Sequence, residues 1–282
     1  MSGAHRPPGG AGGSDPGGLD DPGDLGDDLE VALRVADIAD AITLARFDDR
    51  DFSLDWKANA TEVTEVDRAS ERAIVEALVA RRPRHAVFGE EHGDAGEAGS
   101  RWRWLVDPID GTSGYVRGIP VWATLIGLTR DDVAVLGVIS APALGTRWWG
   151  GVGLGAHVRR RGTTRSIAVS EVADVAEAQV SVTHSPGWDA LGRTERLVEL
   201  QQRARRSRGF GDFWQHALVA EGALDVAVDA VGVAPYDLAA VQPVVEAAGG
   251  RFSDRRGEAT HLHDTAVSSN GLLHDEVIDL LS

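Results

Sequence analysis

The stretch Trp104–Trp122, "WLVDPIDGTSGYVRGIPVW", puts Asp107 and Asp110 into a turn straight after an apolar run. Read alone it is a turn signal, because Asp-Pro and Asp-Gly are strong turn dipeptides and Asp tolerates the backbone angles involved. More acids occupy the same kind of place. "GEEHG" sets Glu90 and Glu91 just after a short apolar run, and "APYDLAA" sets Asp237 at a helix start. One carboxylate at a helix N-terminus is ordinary, since it satisfies free amides and favours the dipole. Glu90, Asp107, Asp110 and Asp237, however, all stand where an apolar strand or helix meets a loop, as residues gathered into one pocket of a sheet protein do. Gathered, they would repel unless cations sat among them. Hard all-oxygen ligation of that kind suits Mg2+, which also recruits substrate phosphate.

The fold is read from the segments on either side. A helix is expected from Asp27 or Asp28, with Leu29, Leu33, Ala36 and Ile42 on one face. A second runs from Thr64 to before Pro83, striped by Val66, Ala69, Ala73, Ile74 and Ala77. The period then changes: "AVFGEE", "RWRWLVD", "VWATLIGLTR", "VAVLGVISA" and "TRWWGGV" read as strands. Helices return at about 193–204 and 212–222, followed by a strand near 223–228. One helix is expected over "DLAAVQPVVEAAG", then strands "RFS" and "AVSSN" and a last helix at about 273–281. Helices at both ends with strands in runs predict a layered α+β protein, not a doubly wound parallel sheet. Residues 1–26, rich in Gly, Pro and Asp with little to bury, are expected to form a disordered tail before a domain over 27–282.

Composition removes several classes. The 282 residues contain no cysteine, which excludes disulfides, thiolate metal sites and cysteine nucleophiles. A net charge of -16 argues against nucleic acid as the main partner, because phosphate backbones are bound by clustered Lys and Arg. The basic runs Arg159–Arg161 and Arg205–Arg208 read as solvated surface. No apolar run is long enough to span a membrane, and the N-terminus has no apolar signal core, so a cytoplasmic protein is expected. "GVGLGA" at Gly151–Ala156 fits a loose dinucleotide motif, but "HVRRRG" follows in place of an apolar-periodic helix, so a hairpin turn is expected there. "HLH" at His261–His263 lacks a third ligand nearby in the chain. Lys57 is the one Lys among 28 basic residues. A Lys kept against such a bias toward Arg suggests a need for a compact point charge. Thr64 and Asp67 have the spacing of a capping box, which alone would make Asp67 a cap.

"KANATEVTEVDRASE", "GEE", "DPIDGT" and "YDLAAVQPVVEAAGG", in that order and spacing, resemble the inositol monophosphatase superfamily. The likeness runs from Leu29 to Leu281. It implies a layered α-β-α-β-α sandwich, a homodimer, and a Mg2+-dependent phosphate monoester hydrolase acting on a small-molecule ester. Carried over position by position, it makes Glu90, Asp107, Asp110, Asp237 and the Ile109 carbonyl the metal ligands, with Lys57 and Glu91 in support. It gives Gly111 and Thr112 the substrate phosphate, and Thr112 with Asp67 the activation of the attacking water, with no covalent phosphoenzyme. This chain differs from the usual pattern at Asn59, in "TSGY" and at Tyr236.

"RGIPVWATLIGL", "VISAPALGTRWWG", "GFGDFWQHALVAEGALDVAV" and "SSNGLLHDEV" look most like the histidinol-phosphatase branch of that superfamily, which serves histidine biosynthesis. A substrate carrying an ammonium and an imidazole wants carboxylates and aromatic faces beyond its phosphate. Asp212 and Trp214 in "GDFW" are the candidates, with Asp229 where inositol phosphatases hold substrate hydroxyls with an acid. Helix capping and core packing are the competing readings of Asp212 and Trp214. The alternatives are an inositol-1-phosphate or broad sugar-phosphate phosphatase, and a non-catalytic metal-binding regulator. Retention of both Asp67 and Thr112 counts against the regulator.

Overall fold

The computed structural model describes residues 25–57 and 61–282. The expected tail before Leu25, and Asn59, lie outside them. Helix α1 (Leu25–Asp49) begins two residues before the expected start of the folded domain, because Leu25 already packs on the outer core. Its deepest residues are Val31, Ala32, Val35, Ala36 and Ala39, while Leu29 and Leu33 flank them half-buried. Small residues line this face because α1 lies against both a sheet and α2 (Glu65–Arg81). Asp28, expected as a cap, is instead inside the first turn and bonds Arg82.

A two-stranded ribbon, β1 (Leu54–Trp56) with β2 (Glu62–Thr64), leads into α2. The large sheet holds β3 (Ala86–Gly89), β4 (Gly93–Gly96), β5 (Trp102–Asp110), β6 (Ala123–Arg130), β7 (Val133–Ala141), β8 (Thr146–Gly151), β9 (Gly155–Arg160) and β10 (Thr163–Ser166), in the order β10-β9-β8-β7-β6-β5-β3-β4. All its pairs are antiparallel except β3 with β5. The short helix α3 (Thr112–Arg117) follows β5. A smaller sheet of β11 (Gln179–Val182), β12 (Arg206–Arg208), β13 (Val226–Val228), β14 (Arg251–Ser253) and β15 (Val267–Ser269) runs β12-β11-β13-β15-β14. The remaining helices are α4 (Pro186–Ala190), α5 (Thr194–Arg203), α6 (Asp212–Ala220), α7 (Pro235–Leu238), α8 (Val241–Ala247) and α9 (His274–Leu281).

These elements stack in five layers. Helices α1 and α2 cover one face of the large sheet; α6 and α8 lie between the two sheets; α5 and α9 close the far face of the small one. The layered α+β class expected from the periodic segments, and the α-β-α-β-α sandwich that the resemblance implies, are the arrangement observed. "GVGLGA" turns between β8 and β9 as a hairpin. Among the described residues no helix is long and apolar enough to cross a membrane.

The single helix expected over "DLAAVQPVVEAAG" is instead α7 and α8 with a break at Ala239–Ala240. Pro243 has no N–H to give Ala239, and its ring crowds that carbonyl, so the helix is interrupted four residues earlier. The break sits hard against the large sheet: a β-carbon on Gly127 would lie 2.5 Å from the Ala239 carbonyl carbon, and one on Gly137 would lie 1.9 Å from the Ala240 oxygen. Glycine at both strand positions is therefore what lets Asp237, at the end of α7, approach β5.

Candidate active site

The turn after β5 owes its geometry to a slipped register. From Asp107 opposite Leu125 to Asp110 opposite Ala123, β5 advances three residues while β6 advances two. Residues three apart on a regular strand face opposite sides; the extra residue brings Asp110 round to the side of Asp107. Thr124 donates to the freed Pro108 carbonyl at 2.8 Å, and Ile109 N–H donates to Asp107 Oδ1 at 2.9 Å. Asp107, Asp110 and Asp237 then offer carboxylate oxygens that all lie within 4.8 Å of one another. Glu90 joins from β3, which runs parallel to β5: its N–H donates to Val106 O at 3.1 Å and its carboxylate stands against Asp107.

Burial, and then the neighbouring carboxylates, push Asp107 and Asp110 well above the ordinary carboxylate range. Burial raises Asp237 to about 7, with Glu90 and Asp229 adding to it against the Ala234 N–H that Asp237 accepts. Such a set is strained as a collection of anions and fits a hard divalent cation, which would hold the ionised forms together. Lys57 sits at one edge, with Nζ 2.6 Å from Glu90 and 2.5 Å from Glu91. Burial alone would lower its ammonium; the bonds to these two acids outweigh that and raise it.

Asp67 serves two structures at once. Its Oδ2 accepts from Thr64 N–H at 2.8 Å and from Thr64 Oγ1 at 2.5 Å, completing the capping box of α2. Its Oδ1 lies 3.1 Å from Thr112 Oγ1, whose other acceptor is the Ile109 carbonyl at 2.8 Å. Asp67 thus caps α2 through one oxygen and meets Thr112 through the other. Gly111, at φ 85°, turns the chain into α3 and brings Thr112 over the carboxylates.

Asp212 opens α6 in the left-handed region at φ 47°. Its Oδ2 lies 3.4 Å from where a β-carbon on Gly111 would be. Desolvation and the nearby Asp229 push its carboxyl up to about 6. Asp229 is buried beside it, its Oδ1 accepting from Ala230 N–H at 2.8 Å. The next amide of α6, Phe213 N–H, donates to Asp110 Oδ2 at 2.7 Å, which ties this helix to the carboxylate cluster.

Trp214 does not join them. It lies on the other side of α6, stacked edge-on against Phe210 at 5.2 Å and lining a groove of about 260 Å³ with Arg206, Arg208 and Leu218. Two residues along a helix turn the side chain by about 200°, so Asp212 and Trp214 point apart. His261 and His263 do not act as a pair: His263 bonds Asp254 and Glu258, whereas buried His261 has Asp132 as its charged neighbour.

Two further residues near the site carry no motif in the sequence. Glu71, fully buried on α2, accepts from Glu91 N–H and His92 N–H at 2.7 Å each, and from the His92 ring at 2.8 Å. His216, buried on α6, reaches Asp229. Each stands four residues after a candidate site residue, Asp67 or Asp212, and so on the same helix face.

Fold and cluster together define a metal-dependent phosphatase scaffold. The inositol monophosphatase family model matches residues 24–282, and the chain belongs to that family. It is a phosphoric monoester hydrolase. The chain is 44% identical over 257 residues to the histidinol-phosphatase of Mycobacterium tuberculosis, covering 91% of this chain and 98% of that one. It is 41% identical over 261 residues to the histidinol-phosphatase of Streptomyces coelicolor, covering 91% and 97%. Among solved structures, extragenic suppressor protein suhB of Bartonella henselae superposes with a TM-score of 0.82 at 24% identity, over 91% of this chain and 98% of that one, a likeness of fold.

Proposed function

We propose that this chain is a Mg2+-dependent histidinol-phosphate phosphatase, converting L-histidinol phosphate and water to L-histidinol and phosphate. The observation that carries the substrate is the second pair of acids, Asp212 and Asp229, beside the carboxylate cluster. A polyol can use one of these acids for its hydroxyls, but a second charge beside it favours an ammonium or imidazolium, which is attracted by both. The histidinol-phosphatase relatives support the same reading.

Glu90, Asp107, Asp110, Asp237 and the Ile109 carbonyl would hold Mg2+, which when bound neutralises phosphate charge and acidifies water. Lys57 holds Glu90 and Glu91 in place. Gly111 and Thr112 bind the phosphate at the start of α3. Thr112 passes a proton from the attacking water to Asp67 Oδ1, whose burial raises its pKa toward accepting one. The water oxygen bonds phosphorus as the ester P–O bond breaks, and the leaving oxygen takes a proton from solvent water to become the alcohol. Trp214 has no part in this assignment, because it faces the groove behind α6. A homodimer belongs to the same reading.

The test is phosphate release from a panel of monoesters at equal concentration, with Mg2+ and with EDTA. The expected outcome is Mg2+-dependent turnover with kcat/KM for histidinol phosphate at least about tenfold above that for inositol 1-phosphate. A preference for inositol 1-phosphate would leave the phosphatase and remove the histidinol assignment.

A further inference from the structure

Buried His216 links three elements of the inner layers. Its Nε2 lies 3.0 Å from Asp229 Oδ2, and its Nδ1 lies 2.7 Å from Ser268 Oγ on β15. Only one proton placement satisfies both contacts with a neutral ring and an ionised Asp229. Nε2 carries the hydrogen and donates to the carboxylate, and Nδ1 accepts from the Ser268 hydroxyl. Asp229 is then gripped at both oxygens, by Ala230 N–H on Oδ1 and His216 on Oδ2. A carboxylate held at one oxygen rotates about its Cβ–Cγ bond; held at both, it keeps one plane, and its free lone pairs keep one direction.

The carboxylate so held stands near the cluster, close enough for its charge to act on Asp110, Asp212 and Asp237. His216 also stands one helical turn after Asp212, so one stretch of α6 carries one acid of the pair and the residue that fixes the other. We propose that His216 is a positioning residue for substrate selection: through Nε2 it fixes the Asp229 carboxylate toward the cationic end of the ester, with Ser268 fixing the ring. The inference rests on the substrate reading above. His216 bonds Asp229 and Ser268, and none of the candidate metal ligands. Its loss should therefore weaken binding of an aminated ester while leaving phosphate transfer from a neutral one.

The experiment compares histidinol phosphate with glycerol 2-phosphate, a neutral-tailed ester, at saturating Mg2+. For His216→Met, KM for histidinol phosphate is expected to rise about tenfold, while kcat/KM for glycerol 2-phosphate stays within about twofold of the parent. His216→Gln, whose amide can donate near the Nε2 position, is expected to recover most of the loss. In an Asp229→Asn background, His216→Met should add nothing further. Should His216→Met fail to fold, Ser268→Ala reports on the same chain, with a smaller KM rise confined to histidinol phosphate. Equal losses on both esters, or an unchanged KM in a folded variant, would make His216 a core link only. A parent that shows no preference for histidinol phosphate would instead overturn the substrate reading, and with it the role given to His216.

Discussion

The carboxylate of Glu71 fills the space beside Gly89 where a side chain would stand. A β-carbon on Gly89 would lie 2.3 Å from Glu71 Cδ and 2.4 Å from its Oε1. Glu71 uses that closeness to accept the amides of Glu91 and His92, so the turn that aims Glu90 hangs from a buried acid on α2. Gly89→Ala must push Glu71 away and strip those amides of their acceptor, at about 1–3 kcal/mol for each buried donor left unbonded. The expected result is a lower melting temperature together with weaker Mg2+ binding, both measurable by thermal unfolding across a Mg2+ titration. An alanine variant as stable as the parent would show that the turn is not held by Glu71.

Much of this was written in the sequence, and the part that was not has physical causes. Asp107, Asp110, Glu90 and Asp237 stood out because each follows an apolar run at a strand or helix end, where burial of an acid needs a reason. A layered α+β protein followed from the order of periodic segments, the five-layer sandwich only from the family resemblance, and the start of α2 from Thr64 and Asp67. The break between α7 and α8 did not follow, because it depends on Gly127 and Gly137 of a distant sheet as well as on Pro243. Glu71 and His216 look like ordinary helix residues until burial shows them on core faces. The separation of Trp214 from Asp212 was available in principle, since two helical steps put them on opposite sides.

Asp110→Asn and Asp237→Asn should each abolish Mg2+-dependent turnover. In EDTA both variants should melt at or above the parent, because each removes an acid whose ionised form burial and mutual repulsion disfavour. The Mg2+-induced rise in melting temperature, large in the parent by mass action, should disappear in both. A variant that kept that rise would not have lost a ligand.

Mg2+ affinity should fall as pH falls through about 7. Asp237 titrates near 7 against an ordinary value of 3.8, raised first by burial. For an acid raised on folding, the sign is fixed. In metal-free protein, the stability gained by holding the proton is complete below pH 3.8 and is lost as pH rises to about 7. Mg2+ must displace that proton, so its stabilising effect should be small at pH 6 and full at pH 8. Equal Mg2+-induced shifts in melting temperature at the two pH values would contradict it.

His274 should give the opposite slope. It is buried between Ser253 Oγ at 2.8 Å and Ser269 Oγ at 2.9 Å, and burial, helped by Arg251, lowers it from 6.5 to about 4. The unfolded chain therefore binds a proton that the folded one refuses. Stability from this residue is whole above pH 6.5 and declines by up to about 1.4 kcal/mol per pH unit toward pH 4. His274→Gln should unfold more easily than the parent at pH 7.5 and close that gap by pH 5, as read from urea midpoints at both values. A gap independent of pH would show that folding leaves the pKa of His274 unshifted.

Asp212 gives the sharpest test of the substrate. Its φ of 47° strains any ordinary L-residue, so Asp212→Ala would confound lost charge with a strained backbone. Asn tolerates that conformation and keeps the side-chain shape, so Asp212→Asn removes the charge alone. If the carboxylate attracts the ammonium or imidazolium of histidinol phosphate, the variant should lose about tenfold in kcat/KM on that ester, near 1.4 kcal/mol. On inositol 1-phosphate it should lose nothing or gain slightly, because a neutral ring no longer meets an unpaired charge. The Mg2+ requirement should stay as in the parent, since Phe213 N–H still holds Asp110 in place. Equal losses on both esters would return Asp212 to the role of a helix-start residue and leave selection of the cationic end to Asp229.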